Sequence, residues 1–488
     1  MISKSFFKSS LVFTIGGSLP MMGSLLMLPY FTNYLSEVNY TQISFHISFS
    51  YLMQIVFSLS IESYFGVKYT QLNHSEQEQK LFAGKVAVIL LSFGLILTLL
   101  ISLLGERLFG VIFSDKLEMS FWPFGFYSLI TAFFNSFFKT ASMVLIYKKE
   151  ATQFLIFNII NFIFTVGITI LGLTMYPDSL FGPIYGRLFS GAIIFLLGYY
   201  IFIKNGKMNF NMAYVKDILL FSLPYCGFVL FTWIITQFDR YILQNKITLQ
   251  DLNTYDLVIK CFFGVAFIQN SLTAVIFPKV FEHWSKTKVL KTTQETNRYF
   301  NVFTILNILM ICSFFVVLPL IYPLLIKNVK FYECNVYIGL LGAGYVTQGI
   351  ISFFMSTIMY AKRIDVLLKI FGLSAVIQVI LLFLLTHYFG LIGAIYSGII
   401  VKIAQVVLAK WFTRTIFEYD YNLYKIELLP YSFIVINILQ YYVLHTYNVF
   451  VYLLQLLFYI VIAYFLFKNE ILKLLVNFNI IKPKLPIK

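Results

Sequence analysis

Six ionisable side chains stand inside long apolar runs of this 488-residue chain: His46, Glu62, Lys139, Arg187, Lys260 and Lys402. A charge held in hydrocarbon is costly, so each is a candidate for binding a ligand or moving an ion. Lys139 lies about eight residues from the nearer end of its run, roughly 12 Å at ~1.5 Å per residue. Arg187 and Lys260 lie about five to seven residues inside the opposite end, and Lys402 falls near the middle of its run. Cations at such depths can line a water-filled cavity and hold a phosphate, a pyrophosphate or a uronic acid group. The competing assignment is local pairing between helices, for instance with Gln405 or Asn135. Lys85 and Lys369, within a turn of a run's end, can snorkel to the interface. Glu62 is the acid inside a run, and it shares that run with His46. Both are candidates for coupling to a proton or sodium ion, with interfacial solvation beside Lys68 as the alternative for Glu62. By this reading about seven buried charges are basic and one is acidic, a balance suited to an anionic cargo.

A second constellation is the acid–base pair Asp239–Arg240 in TQFDRYIL (236–243), at the edge of an apolar run. Its position predicts an interfacial helix stop, with an outer-gate role as the secondary assignment. Pro20 in one run, and Pro224 with Gly227 in another, interrupt helical hydrogen bonding at corresponding places and are candidate hinges. No catalytic constellation and no metal-ligand spacing occurs. Cys226, Cys261, Cys312 and Cys334 are scattered and read as packing residues.

The elements that position these residues follow from composition. The chain is 59% hydrophobic and 12% charged, with mean hydropathy +0.83. A soluble protein of this length has no interior large enough for that apolar surface, so lipid is the solvent. The runs last roughly 20 residues rather than alternating over about 10, which selects helices over a barrel. An all-α polytopic membrane protein with about 14 spans is expected, near 11–31, 42–66, 82–104, 121–146, 152–175, 180–203, 218–238, 255–278, 301–325, 335–360, 366–389, 391–412, 428–446 and 448–467. The net charge of +15 is distributed as a topology signal rather than as a nucleic-acid footprint. Of 36 Lys and Arg, 23 fall in segments assigned to one side and 6 in segments assigned to the other. The positive-inside rule then places both termini in the cytoplasm, the first run being a retained helix. No connection is long enough for a separate folded domain.

The chain contains a weak internal repeat. SLPMMG (18–23) recurs as SLPYCG (222–227), YKKE (147–150) as AKRI (361–364), and SLFGPIY (179–185) as GLIGAIY (390–396). Six helices separate the copies, so the repeats are parallel. The expected organisation is a six-helix lobe over 1–204, a cytoplasmic linker over 205–217, a second six-helix lobe over 218–415, and two further helices with a basic tail over 416–488. The two lobes would surround a central cavity.

At this point specific stretches resemble a known family. FSLPYCGFVLFTWIITQFDRYIL, TYDLVIKCFFGVAF and FPKVFEHW are similar to the seventh and eighth spans of the O-antigen and capsule repeat-unit flippases. That family belongs to the multidrug/oligosaccharidyl-lipid/polysaccharide exporter superfamily. LPYFTNYLSEVNYTQI resembles the family's first loop, and YAKRIDVLLKIFGLSAVIQVILLFLLTHYFGLIGAIYSGI its tenth to twelfth spans, without the asparagines usual in the eleventh. The resemblance covers about residues 1–415. It implies a non-enzymatic exporter in the bacterial inner membrane that moves undecaprenyl-pyrophosphate-linked oligosaccharide, for lipopolysaccharide O-antigen or capsule, by alternating access. It implies no cofactor beyond proton or sodium coupling, membrane lipids and other polysaccharide assembly proteins as partners, and no nucleic acid. Two alternatives stay open: a multidrug/ion antiporter of the same superfamily, and a membrane oligosaccharide polymerase or ligase. The first usually carries a deep acid in span one, which here has none; the second usually carries a large outer loop.

Overall fold

A computed structural model describes residues 4–72, 75–206, 212–287 and 291–477. Part of the expected linker (207–211), Lys288 and the tail lysines Lys482, Lys484 and Lys488 lie outside the described residues. The described residues are almost entirely helical, with one isolated bridge between Lys291 and Glu418. Eleven helical segments among them are long and apolar enough to cross a membrane. The chain forms two compact units, Met1–Asp256 and Leu257–Lys488.

The first unit comprises α1 (Lys4–Tyr34), α2 (Glu37–Ser58), α3 (Ile61–Gln71), α4 (Glu76–Ile112), α5 (Phe126–Tyr147), α6 (Ala151–Met175), α7 (Phe181–Asn205), α8 (Met212–Gln237), the short α9 (Asp239–Leu243) and the start of α10 (Leu249–Thr287). The run expected as one span over 42–66 is broken: Leu59 and Ser60 both adopt left-handed backbone, at φ 45° and 55°. The break ends α2 and sets Glu62 in the first turn of α3, where the helix N-terminus favours an acid. α6 and α7 approach to backbone contact, because a Cβ on Gly172 would lie 2.3 Å from the Gly182 Cα. Small residues at such crossings are how helices pack where lipid supplies no hydrophobic drive. Aromatic and aliphatic side chains of α3, α4, α5 and α7, among them Phe65, Phe82, Phe137 and Phe202, form the core. Lys85, expected to snorkel, is instead buried beside this core.

At one end of this unit Asp178, in the turn between α6 and α7, clasps the α1–α2 junction. Its carboxylate accepts from the Ser36 backbone N–H at 2.6 Å and from the Asn39 amide at 2.7 Å. Its own N–H donates to the Tyr34 carbonyl at 2.8 Å. Partial burial pushes the Asp178 carboxyl up, but these hydrogen bonds more than offset it and hold the group below its ordinary value.

The second unit continues through α11 (Gln294–Leu325), α12 (Asn335–Ala343), α13 (Thr347–Tyr360), α14 (Ile364–Thr413), α15 (Leu429–Leu444), α16 (Val449–Ile462) and α17 (Lys468–Asn477). α14 is two helices joined at Gly390, whose φ of 55° and ψ of −130° suit only glycine. This is the tight hairpin expected at FG (389–390). α12 and α13 are joined by a 3-10 turn, Gly344–Val346, in the middle of an otherwise apolar segment. The four cysteines are buried thiols, as packing residues are.

Candidate functional site

The ionisable residues fall into four clusters, three in the first unit and one in the second. Glu62 and Lys139 meet across α3 and α5, with Lys139 Nζ donating to Glu62 Oε1 at 2.6 Å. Glu62 is mostly buried whereas Lys139 is half exposed, so the pair neutralises an acid that the helix break has turned inward. Its second oxygen, Oε2, is buried without a hydrogen-bond partner.

His46 and Arg187, from α2 and α7, line one small recess together with Ser50, Ser128 and Thr131, walled on its apolar side by isoleucines. His46 is buried, its Nδ1 3.3 Å from the Ser128 hydroxyl. The Arg187 guanidinium lies 5.9 Å from the centre of the Tyr51 ring. Among the described residues no carboxylate pairs with it. An arginine at the centre of a span costs about 2.5–3.5 kcal/mol on insertion scales, an upper bound for Arg187 near the start of α7. A ring face at that distance offsets only ~0.5–1 kcal/mol, so Arg187 is the least compensated of the candidate cations of the first unit.

The third cluster lies at a helix stop, α8 ending at Gln237, but it is buried rather than set at an open interface. Asp239 and Arg240 are each only 5% exposed. Arg240 Nη1 pairs with Asp256 Oδ1 at 3.0 Å, and Ser44 of α2 donates to Asp256 Oδ2 at 2.7 Å. Asp239 accepts from the Arg240 backbone N–H at 2.8 Å and from the Tyr255 hydroxyl. Beside them Thr41 donates to Asn253 Oδ1 at 2.7 Å, and the Asn253 amide donates to the Glu37 carbonyl at 2.8 Å. α9 and the first turns of α10 are thereby fastened to α2. Two buried acids, Asp239 and Asp256, also narrow the balance of seven basic charges against one acidic. The signal for Asp256 is present in TYDLVIK (254–260), an acid four residues before a lysine in an apolar run. Its place at a span end keeps it out of any count made by depth alone.

In the second unit Lys402 Nζ sits 4.0 Å from the centre of the Tyr345 ring. Gly344 makes the room, since a Cβ there would lie 3.2 Å from both Lys402 Cδ and Nζ. Tyr345 belongs to the 3-10 turn, and its carbonyl accepts from the Gln269 amide at 2.9 Å. Gln269 also donates to Asn307 Oδ1 at 2.7 Å, and Asn307 donates to the Val346 carbonyl at 3.2 Å. Side-chain amides thus replace the helical partners that the turn removes, as broken membrane helices require. Lys260 is buried on α10. The candidate hinges lie within helices: Pro20 in α1, exposed, and Pro224 and Gly227 in α8, both half-buried.

The chain matches the family profile described as polysaccharide biosynthesis protein over residues 6–284, more than half of its length. None of the curated protein sequences matches it significantly. Among solved structures it resembles a lipid II flippase, MurJ, in an inward closed conformation. The TM-score is 0.66 at 15% identity, over 96% of this chain and 100% of the other. It also resembles an inward-facing multidrug resistance MATE transporter of the MOP superfamily, with TM-score 0.66 at 13% identity over 83% and 98% of the two chains. A point mutant of the Vibrio cholerae MATE transporter VcmN gives 0.57 at 16% identity over 84% and 97%. At these identities the likeness is one of fold. The chain is a multi-pass membrane protein of the polysaccharide biosynthesis family, with the helical fold that a lipid II flippase and the MATE transporters share.

Proposed function

We propose that this protein is a flippase that moves a polyprenyl-pyrophosphate-linked oligosaccharide, an O-antigen or capsular repeat unit, across the bacterial inner membrane. The observation that carries the reading is the set of cations inside apolar helices, above all Arg187, for which the described chain supplies no carboxylate, and Lys402, held on an aromatic face. The pyrophosphate of a polyprenyl-linked cargo is an anion that such cations can hold. The solved flippase of similar fold acts on lipid II, itself a lipid-linked cargo, which supports the same chemistry. Lys139 and Lys260 complete the set of candidate cations.

In this reading the protein works by alternating access of the two six-helix lobes expected over 1–204 and 218–415, with Pro20, Pro224 and Gly227 as hinges. The buried Asp239–Arg240 cluster closes the outer side, and both termini face the cytoplasm. Glu62 and His46 couple the cycle to a proton or sodium ion. Depletion of the protein in its own host tests the reading. Lipid-linked oligosaccharide should accumulate on the cytoplasmic face, inaccessible to a sugar-oxidising reagent added outside. Unchanged outer-leaflet labelling, with polymerised product still made, would overturn it.

A further inference from the structure

We propose that the open face of α17, bounded by Lys468 and Lys473, is a docking surface for the anionic headgroups of membrane phospholipid. The proposal stands apart from the flippase reading and involves no cargo.

Length sets the level of this helix in a bilayer. α16 (Val449–Ile462) continues through a π-helical turn, Ala463–Phe467, into α17 (Lys468–Asn477). From Val449 to Phe467 the helical path is free of charge and covers about 28 Å at ~1.5 Å per residue, close to the ~30 Å of a bilayer core. Lys468 therefore stands where hydrocarbon gives way to headgroups. Lys473 follows about 7 Å further along, still within a headgroup layer roughly 5–8 Å deep.

One face of α17 is already occupied. Phe467, just before it, packs with Ile305 of α11, Ile471 lies against the same cluster, and Leu474 is buried. The Glu470 carboxylate is held by the Asn301 amide at 2.9 Å and by Lys425 at 3.1 Å. The other face is open: Lys468, Asn469 and Lys473 are exposed, with Leu472 half-buried among them. Four residues before Lys468 and Asn469, and so on the same side, Tyr464 and Phe465 are 57% and 76% exposed. Rings followed by lysines is the order in which a helix passes from hydrocarbon to headgroups. Lys468 donates to the Tyr464 hydroxyl at 3.2 Å, and among the described residues no carboxylate pairs with Lys468 or Lys473.

The charge balance points the same way. Beyond Phe467 the sequence holds five lysines, Lys468, Lys473, Lys482, Lys484 and Lys488, against the single acid Glu470, which Lys425 already neutralises. Lysines without acids at the level of the headgroups, with Leu472 between them to meet the acyl boundary, are complementary to an anionic lipid surface.

The test uses the purified full chain in nanodiscs of phosphatidylcholine alone or of phosphatidylcholine with phosphatidylglycerol. Amide hydrogen exchange of α17 is read by mass spectrometry. Exchange should be at least threefold slower in the anionic discs, and high salt should erase the difference by screening surface charge. Lys468→Gln with Lys473→Gln should abolish the difference, and Lys468→Arg with Lys473→Arg should keep it. Lys286→Gln, an exposed charge away from α17, should leave it intact. Equal exchange in the two discs, or a difference that survives in the double glutamine variant, would overturn the proposal. The combined change Lys482→Gln, Lys484→Gln and Lys488→Gln should reduce the difference only in part. Its complete loss in that variant would place the contact in those lysines and overturn the assignment to α17.

Discussion

Arg240 and Asp256 form a buried ion pair at 3.0 Å, and the same Asp256 carboxylate accepts a hydroxyl from Ser44, 212 residues earlier in the chain. In the sequence Arg240 reads, with Asp239, as the edge of an apolar run, and it lies at the centre of a buried network. Removing one partner of such a pair strands the other charge, at a cost of about 3–5 kcal/mol. Asp256→Asn and Arg240→Gln should therefore each lower the melting temperature of the purified protein sharply. The double change Arg240→Met with Asp256→Leu should recover much of the loss, because an apolar pair strands no charge. Melting curves of the three variants that coincide with wild type would show that the network contributes nothing.

The Glu62–Lys139 pair behaves differently because Lys139 is half exposed and water screens it. Lys139→Gln should cost little stability, roughly 0–1 kcal/mol. Exchanging the two residues, Glu62→Lys with Lys139→Glu, should restore the pair if its role is structural. If Glu62 couples the cycle to an ion, the exchanged protein should fold normally yet lose the pH or sodium dependence of transport. Retained ion dependence in the exchanged protein would remove Glu62 from the coupling role.

Gly390 turns the chain between the two halves of α14 in a conformation that only glycine adopts without strain. Gly390→Ala should destabilise the protein by about 1–3 kcal/mol. Thermal unfolding measures this directly, and an unshifted curve would mean the turn relaxes without cost.

Asp178 supplies a pH signature. Its folded carboxyl lies below its ordinary value of 3.8. A depressed acid contributes stability that is complete above the ordinary value and is lost as pH falls through the lower, folded one. Wild type should therefore lose stability below about pH 4, relative to Asp178→Asn. At neutral pH the variant should melt earlier than wild type, and the gap should close in acid. A gap that is constant with pH would show that the carboxylate's charge is not what clasps Ser36 and Asn39.

Much of the fold was legible in the sequence, because lipid imposes a single rule. Apolar runs of about 20 residues must be helical, and the runs marked by hydropathy fall on helices, with those over 42–66 and 335–360 each interrupted. The hairpin at Gly390 was equally plain, since two apolar runs met at a glycine. The break at Leu59–Ser60 was not, for neither residue is a usual carrier of left-handed backbone. Pairings were illegible for a different reason. Glu62 and Lys139 lie 77 residues apart, and periodicity fixes which face of a helix a residue occupies but not which helix it meets. The position of Asp256 at a span end hid its role, because depth along a helix does not report burial by neighbouring helices. The shared recess of His46 and Arg187 was invisible for the same reason.

If the protein transports an anionic lipid-linked sugar, that transport should depend on the intramembrane cations. The most direct measurement is translocation of a polyprenyl-pyrophosphate-linked oligosaccharide, carrying a labelled sugar, across proteoliposomes containing the purified protein. Protein-dependent transfer between leaflets is expected, falling at least tenfold in the Arg187→Gln, Lys402→Gln double variant while that variant remains folded. Transfer at the rate of empty vesicles, or undiminished transfer by the double variant, would contradict it.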